Sequence, residues 1–212
     1  MDAPQRPEGV AAAFAPASVC SSAKPSSDNT YSLFFYGTLI HPSILAKVIA
    51  SPGTHISVQP AILEDYVLHH VKKEDYPGLV SVEGSSQVMN KHDRPLADSQ
   101  ESSLVRGTIV RGLKESDVAR LDAFEGDEYR RISVNVRPDT QVMAIRNDSR
   151  PRDESIAQIL SSLTPERVRE LRTGTSEPAN VYSWNAPLSL LEPEIWTFER
   201  FTASGKDRRW WA

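Results

Sequence analysis

The sequence predicts an α+β fold built on a strongly curved antiparallel or mixed sheet. Three observations carry this expectation. Strand-like segments outnumber helical ones, several of them return through short hairpin-like turns, and the regular strand–helix alternation of a doubly wound fold is missing. The length, 212 residues, suits one generous domain.

Residues 1–30 hold seven Ala, five Ser and four Pro without a periodic apolar pattern, which predicts a disordered tail. The domain is expected over 31–212. Tyr31–Tyr36 is apolar on both faces, as in a strand covered on both sides. Gly37-Thr38 breaks it. His41-Pro42 then opens a helix with Ile44, Leu45 and Val48 on one stripe, proline being harmless in a first turn. Ala61–Val71 reads as one long strand, Tyr76-Pro77-Gly78 as a turn with glycine at positive φ, and Leu79–Val82 as the return strand. Residues 84–102 read as a polar surface loop, and Leu104–Val110 as the next strand.

Lys114–Phe124 is helical, with Val118, Leu121 and Phe124 on one face, Glu115 and Asp117 in the first turn, and Gly126 as a left-handed cap. Arg131–Val136 alternates as a strand. Residues 146–178 are highly charged and read as an excursion from the core that includes a helix over Pro165–Arg172. Ala179–Trp184 is expected to be the last strand. A C-terminal helix is expected from about Pro193, burying Ile195, Phe198 and Phe201, with Trp210-Trp211 covering the core.

Composition excludes several function classes. The net charge of −4 leaves no electrostatic footprint for nucleic acid or an anionic membrane. No apolar run approaches the length of a membrane helix, so a soluble cytoplasmic protein is expected. The single Cys20 precludes an internal disulfide and has no adjacent base. His41, His55, His69, His70 and His92 show no metal-binding spacing, so no metal site is expected.

Two segments can carry chemistry. Tyr36-Gly37-Thr38-Leu39 places backbone amides between a buried strand and a helix N-terminus, a geometry suited to a carboxylate, although such a turn is more often only a turn. In Leu121–Tyr129, Glu125 sits at a helix C-terminus beside Phe124, with Asp127 and Glu128 close by. Burial, the helix dipole and like charge all favour its protonated form, as a general base that later acts as an acid requires. A solvated acidic loop capping a helix explains the same nine residues.

Phe34-Phe35-Tyr36-Gly37-Thr38-Leu39 resembles the opening signature of the AIG2-like branch of the γ-glutamylcyclotransferase-like superfamily. Val71–Leu79, Val105–Val110, Leu121–Arg131, Val181–Trp184 and Trp196–Phe201 resemble further family segments in the same order. The resemblance covers 31–139 and 179–211. It implies a small mixed or antiparallel β-barrel with surrounding helices and a pocket at one end. The implied reaction is cofactor-free release of 5-oxoproline and a free amine from a small-molecule γ-glutamyl substrate.

On that resemblance Glu125 is the catalytic residue. Tyr36, Gly37, Thr38 and Leu39 hold the γ-glutamyl group, and Gly78 and Leu79 form a pocket wall. Tyr129 matches the motif as well, as a substrate contact or, with Arg131, as a brace for the barrel. Tyr182 is placed near the pocket or in the core. The alternative is a non-catalytic binding or adaptor protein on the same fold, and a third reading is an enzyme that removes a protecting γ-glutamyl group. Retention of Glu125 favours either enzyme reading over the adaptor, and the two enzyme readings differ only in the amine released.

Overall fold

The computed structural model describes residues 30–40, 42–89, 103–139, 162–197 and 200–201. The expectations for the tail 1–29, for Phe198 and for Trp210-Trp211 lie outside the described residues, as do Cys20, His41, His92 and all of 146–161. Strand β1 (Tyr31–Phe35) leads into a 3₁₀ turn (Gly37–Ile40) and helix α1 (Pro42–Val48). Strands β2 (Ser57–Glu64), β3 (Tyr66–Val71) and β4 (Pro77–Ser81) follow, then helix α2 (Val82–Val88). Strand β5 (Leu104–Leu113), helix α3 (Glu115–Glu125) and strand β6 (Tyr129–Pro138) complete the central part. Helix α4 (Pro165–Thr173) and strands β7 (Glu177–Trp184) and β8 (Leu191–Ile195) come last.

Five strands close a barrel in the order β1-β5-β2-β6-β7, and β4-β3-β8 form a separate three-stranded sheet. The barrel is antiparallel except where β7 meets β1 in parallel. The α+β expectation with a curved, mixed sheet therefore holds. Leu33, Phe34 and Phe35 are buried as a continuous run, which is why β1 shows no polar face. Opposite them, Gly107 is required by close approach: a Cβ there would run into the Phe35 carbonyl and the Phe34 ring.

The expected long strand Ala61–Val71 is two strands. Asp65 has φ +66°, a conformation its short polar side chain tolerates, and this break lets β3 leave the barrel for the second sheet. The Tyr76-Pro77-Gly78 turn is displaced towards the N-terminus. Pro77 and Gly78 are already strand, paired with His70 and His69, and the positive φ belongs to Lys73. Residues 84–88 are helix rather than loop, because the Ser81 side chain accepts from the Gly84 amide and caps α2.

Gly126 does have positive φ, 67°, but its ψ of −168° is extended rather than left-handed helical. That region is essentially reserved for glycine. Ala179–Trp184 is not the last strand, and Pro193 does not start a helix. The free edge of β3 supplies partners for β8, with His69 opposite Ile195 and Val71 opposite Leu191, and a proline is tolerated on such an edge strand. Phe201 is buried as expected, while Ile195 is half-buried.

Residues 162–178 are not an excursion from the core. Leu163, Val168 and Leu171 are buried against Ile62 of the barrel. Thr164 caps α4 through the Arg167 amide, with Pro165 in the first turn. Around this patch Arg167 pairs with Asp139 at 2.6 Å, while Arg137 and Arg172 both reach Glu64, at 2.7 and 2.8 Å. The helix thus straps the β2–β6 seam, whose register holds only Ala61↔Pro138 and Ile62↔Arg137. The charged residues that suggest an excursion ring an apolar patch that packs on the sheet.

Candidate active site

The end of β1, the 3₁₀ turn and the end of α3 converge on one cleft. Its lining includes Tyr36, Gly37, Thr38 and Leu39 from the turn, and Phe124 and Glu125 from the helix. Gly37 has φ +72°, so the chain can reverse there at no steric cost and direct the following amides along the turn. Helix α3 is positioned by Val118 and Leu121 against the core. Its start is fixed by Asp117, which accepts the Lys114 amide at 2.9 Å and faces His55 Nε2 at 2.8 Å. Glu125 is the last helical residue and is 9% exposed. Eighty-odd residues of chain separate the two segments, and the fold brings them to one place.

The rest of the wall differs from the expectation at one strand. Gly78 and Leu79 lie outside the lining. A Cβ at Gly78 would meet Leu191 and Trp184, and Leu79 is fully buried among the core side chains. The wall at this position is Asp75, Tyr76 and Pro77, one step earlier in the same segment. Tyr129 does line the cleft. Its hydroxyl donates to the Pro77 carbonyl at 2.7 Å, and its ring meets Trp184 edge-on at 5.3 Å.

Three further wall residues, Tyr182, Trp196 and Phe201, come from the C-terminal part of the chain. The Trp196 and Phe201 rings lie 5.7 Å apart, tilted by 39°, and the Trp196 indole N–H donates to the Asp75 carbonyl at 3.2 Å. Nothing in the sequence separates these aromatics from core residues; only their place in space does. Tyr76 donates to Glu128 Oε2 at 3.0 Å, so the neighbouring acid of the motif supports the cleft from behind. Tyr182 Oη donates to Asp122 Oδ1 at 2.7 Å. Burial first, then that bond and the nearby charges of Asp122 and Glu125, hold the Tyr182 hydroxyl well above the ordinary tyrosine range. It remains a neutral donor.

His69 is fully buried, with Nδ1 on the Glu192 carbonyl at 2.9 Å and Nε2 on Ser85 Oγ at 2.8 Å. Burial pushes its pKa down. It ties α2 and β8 to β3. Among the described residues no group of three or more potential ligands could hold a metal ion, and no helix is long and apolar enough to cross a membrane.

A closed five-stranded barrel with one cleft lined by both a buried carboxyl and a backbone-amide turn places the chain among small pocket-bearing α+β proteins. Residues 33–155 match the family model described as gamma-glutamyl cyclotransferase, AIG2-like, and the chain belongs to that family. The Arabidopsis thaliana protein AIG2 C is 25% identical over 116 residues, 55% of this chain and 56% of that protein. The chain thus spans about half the length of this curated relative. Among solved structures, two Arabidopsis thaliana proteins determined in solution are each 17% identical with TM-score 0.48. They cover 88% and 86% of this chain and 81% and 87% of their own. A yeast gamma-glutamyl cyclotransferase specific to glutathione is 17% identical with TM-score 0.38, covering 74% of this chain and 69% of its own.

Proposed function

We propose that this chain is a γ-glutamyl cyclotransferase releasing 5-oxoproline and a free amine, with Glu125 as its general base and acid. One observation carries the reading: the buried Glu125 carboxyl ends its helix in the same cleft as the Tyr36–Leu39 turn. The amides of Gly37, Thr38 and Leu39 would hold the γ-glutamyl carboxylate and orient the substrate. The substrate's α-amine nitrogen attacks its own γ-carbonyl carbon. As the new C–N bond forms, Glu125 takes a proton from that nitrogen. When the old C–N bond breaks, Glu125 returns the proton to the departing nitrogen. No atom changes oxidation state, and the ring closes within one molecule.

The test is a screen of γ-glutamyl amines, γ-glutamyl amino acids and glutathione, following 5-oxoproline by mass spectrometry for the wild type and Glu125→Gln. Turnover by the wild type that Glu125→Gln abolishes supports the reading. Equal turnover by both proteins would remove Glu125 from the mechanism. A γ-glutamyl compound that binds and never reacts would favour the adaptor alternative.

A further inference from the structure

A second cavity, broad and open, lies beside the cleft and shares Tyr129 and Tyr182 with it. Tyr182 is therefore a partition between the two, and it is tied at both ends. Its backbone carbonyl accepts the Tyr36 hydroxyl at 2.5 Å, and its own hydroxyl donates to Asp122 Oδ1 at 2.7 Å. Tyr36 begins the amide turn. Asp122 lies three residues before Glu125 on α3, so the two share a helix face. Arg131 holds the other oxygen of Asp122 at 3.6 Å.

We propose that Tyr182 is a positioning residue for the reaction, a rigid spacer between the amide turn and α3 that sets where Glu125 stands relative to the bound γ-glutamyl group. This rests on the cyclotransferase reading above. The spacer spans a gap that neither motif spans alone. The turn is anchored to β1 and α3 to the core beneath it, and the Tyr36–Tyr182–Asp122 chain of bonds joins them directly. The partition residue lies outside the segment 33–155 that defines the family match. A proton transfer in both directions needs its carboxyl within hydrogen-bond reach of two nitrogens in turn, so a small displacement of the helix end costs rate before it costs binding.

The test uses the full chain, a substrate identified by the 5-oxoproline screen, and four variants. Tyr182→Phe keeps the ring and the carbonyl bond to Tyr36 and removes only the bond to Asp122. It should lower kcat roughly tenfold, as expected for misplacing an acid–base group, with KM changed less than about threefold because the amide turn still binds. Asp122→Asn keeps an acceptor oxygen and should retain most of kcat. Asp122→Ala should match Tyr182→Phe, and the Tyr182→Phe/Asp122→Ala pair should be no slower than either single variant.

A merely structural tyrosine would instead lower the melting temperature of each variant and leave kcat per folded molecule unchanged. That outcome overturns the proposal, as does a tenfold loss carried entirely by KM, or Asp122→Asn failing as badly as Asp122→Ala. A wild type that turns over no γ-glutamyl compound defeats the underlying reading and the spacer with it. Normal turnover by wild type and Tyr182→Phe alike defeats the spacer alone.

Discussion

Helices α3 and α4 are held to the same barrel by different forces. Helix α3 rests on Val118 and Leu121 within the main apolar core, and its start is fixed by the buried Asp117. Helix α4 rests on a satellite cluster of Leu163, Val168, Leu171 and Ile62, ringed by arginine–carboxylate pairs. The helix that delivers Glu125 is placed by packing, which is short-ranged and stiff. The helix that straps the β2–β6 seam rests on a small apolar patch supplemented by charge pairs, which are softer and depend on pH and salt. Precision is found at the cleft, and adjustability at the seam.

The largest effect expected on the α3 side is chemical. Glu125→Gln should reduce 5-oxoproline formation by at least about 10²–10⁴-fold while leaving the thermal melt nearly intact, because the amide keeps the shape of the carboxyl. Glu115→Gln, at the exposed start of the same helix, is the control. Glu128→Gln is unsuitable for that purpose, since Glu128 holds the Tyr76 hydroxyl behind the cleft. A variant Glu125→Gln as active as the wild type would place the chemistry elsewhere.

Next comes packing. Leu121 is fully buried in the main cluster, so Leu121→Ala should cost about 2–5 kcal/mol in a urea melt and slow any turnover by loosening the helix that carries Glu125. Leu171→Ala, in the four-residue satellite, should cost about 2 kcal/mol, the low end of the same range, and leave turnover alone. Equal losses of activity from both would erase the distinction between the helices.

Much of this arrangement was legible in the residues, for physical reasons that also explain the failures. Strand β1 and helix α3 announce themselves through local patterns, a doubly apolar run and a three–four periodicity, which tertiary contacts only reinforce. The break at Asp65 and the start of β8 depend on which strand edge is free, and no local pattern encodes that. The wall falls at Asp75, Tyr76 and Pro77 rather than at Gly78 and Leu79 because the sheet packs Gly78 against Leu191 and Trp184 and sinks Leu79 into the core, which only the tertiary contacts decide. Tyr182, Trp196 and Phe201 reach the cleft only because the barrel closes, so their place there is a property of topology. The charged stretch before β7 reads as an excursion for the opposite reason: high charge suggests solvent, whereas Arg167 and Arg172 meet Asp139 and Glu64 around a buried apolar patch.

The smallest effect, and the most specific to the seam, is acid loosening of α4. Glu64 is partly buried, which by itself pushes its carboxyl up, but hydrogen bonds from Arg172 and Arg137 outweigh this and hold it below the ordinary glutamate value. A carboxyl with a lowered pKa in the folded state binds its proton first in the unfolded chain. Its stabilisation is complete above the unfolded value, roughly 4.3, and is lost as pH falls through the lowered folded value. The pairs are exposed enough that each should contribute only about 0.5–1 kcal/mol. Amide protection factors over 168–172 should therefore fall between pH 7 and pH 3 while those over 118–122, in α3, still hold. Glu64→Gln should reproduce a fraction of that loss at pH 7, and raised salt should weaken the wild-type helix towards the same level. No change over 168–172 would mean that the four apolar residues of the satellite hold α4 without help from the charges around them, and protection falling together in both helices would mean that α4 has no acid-sensitive opening separate from global unfolding.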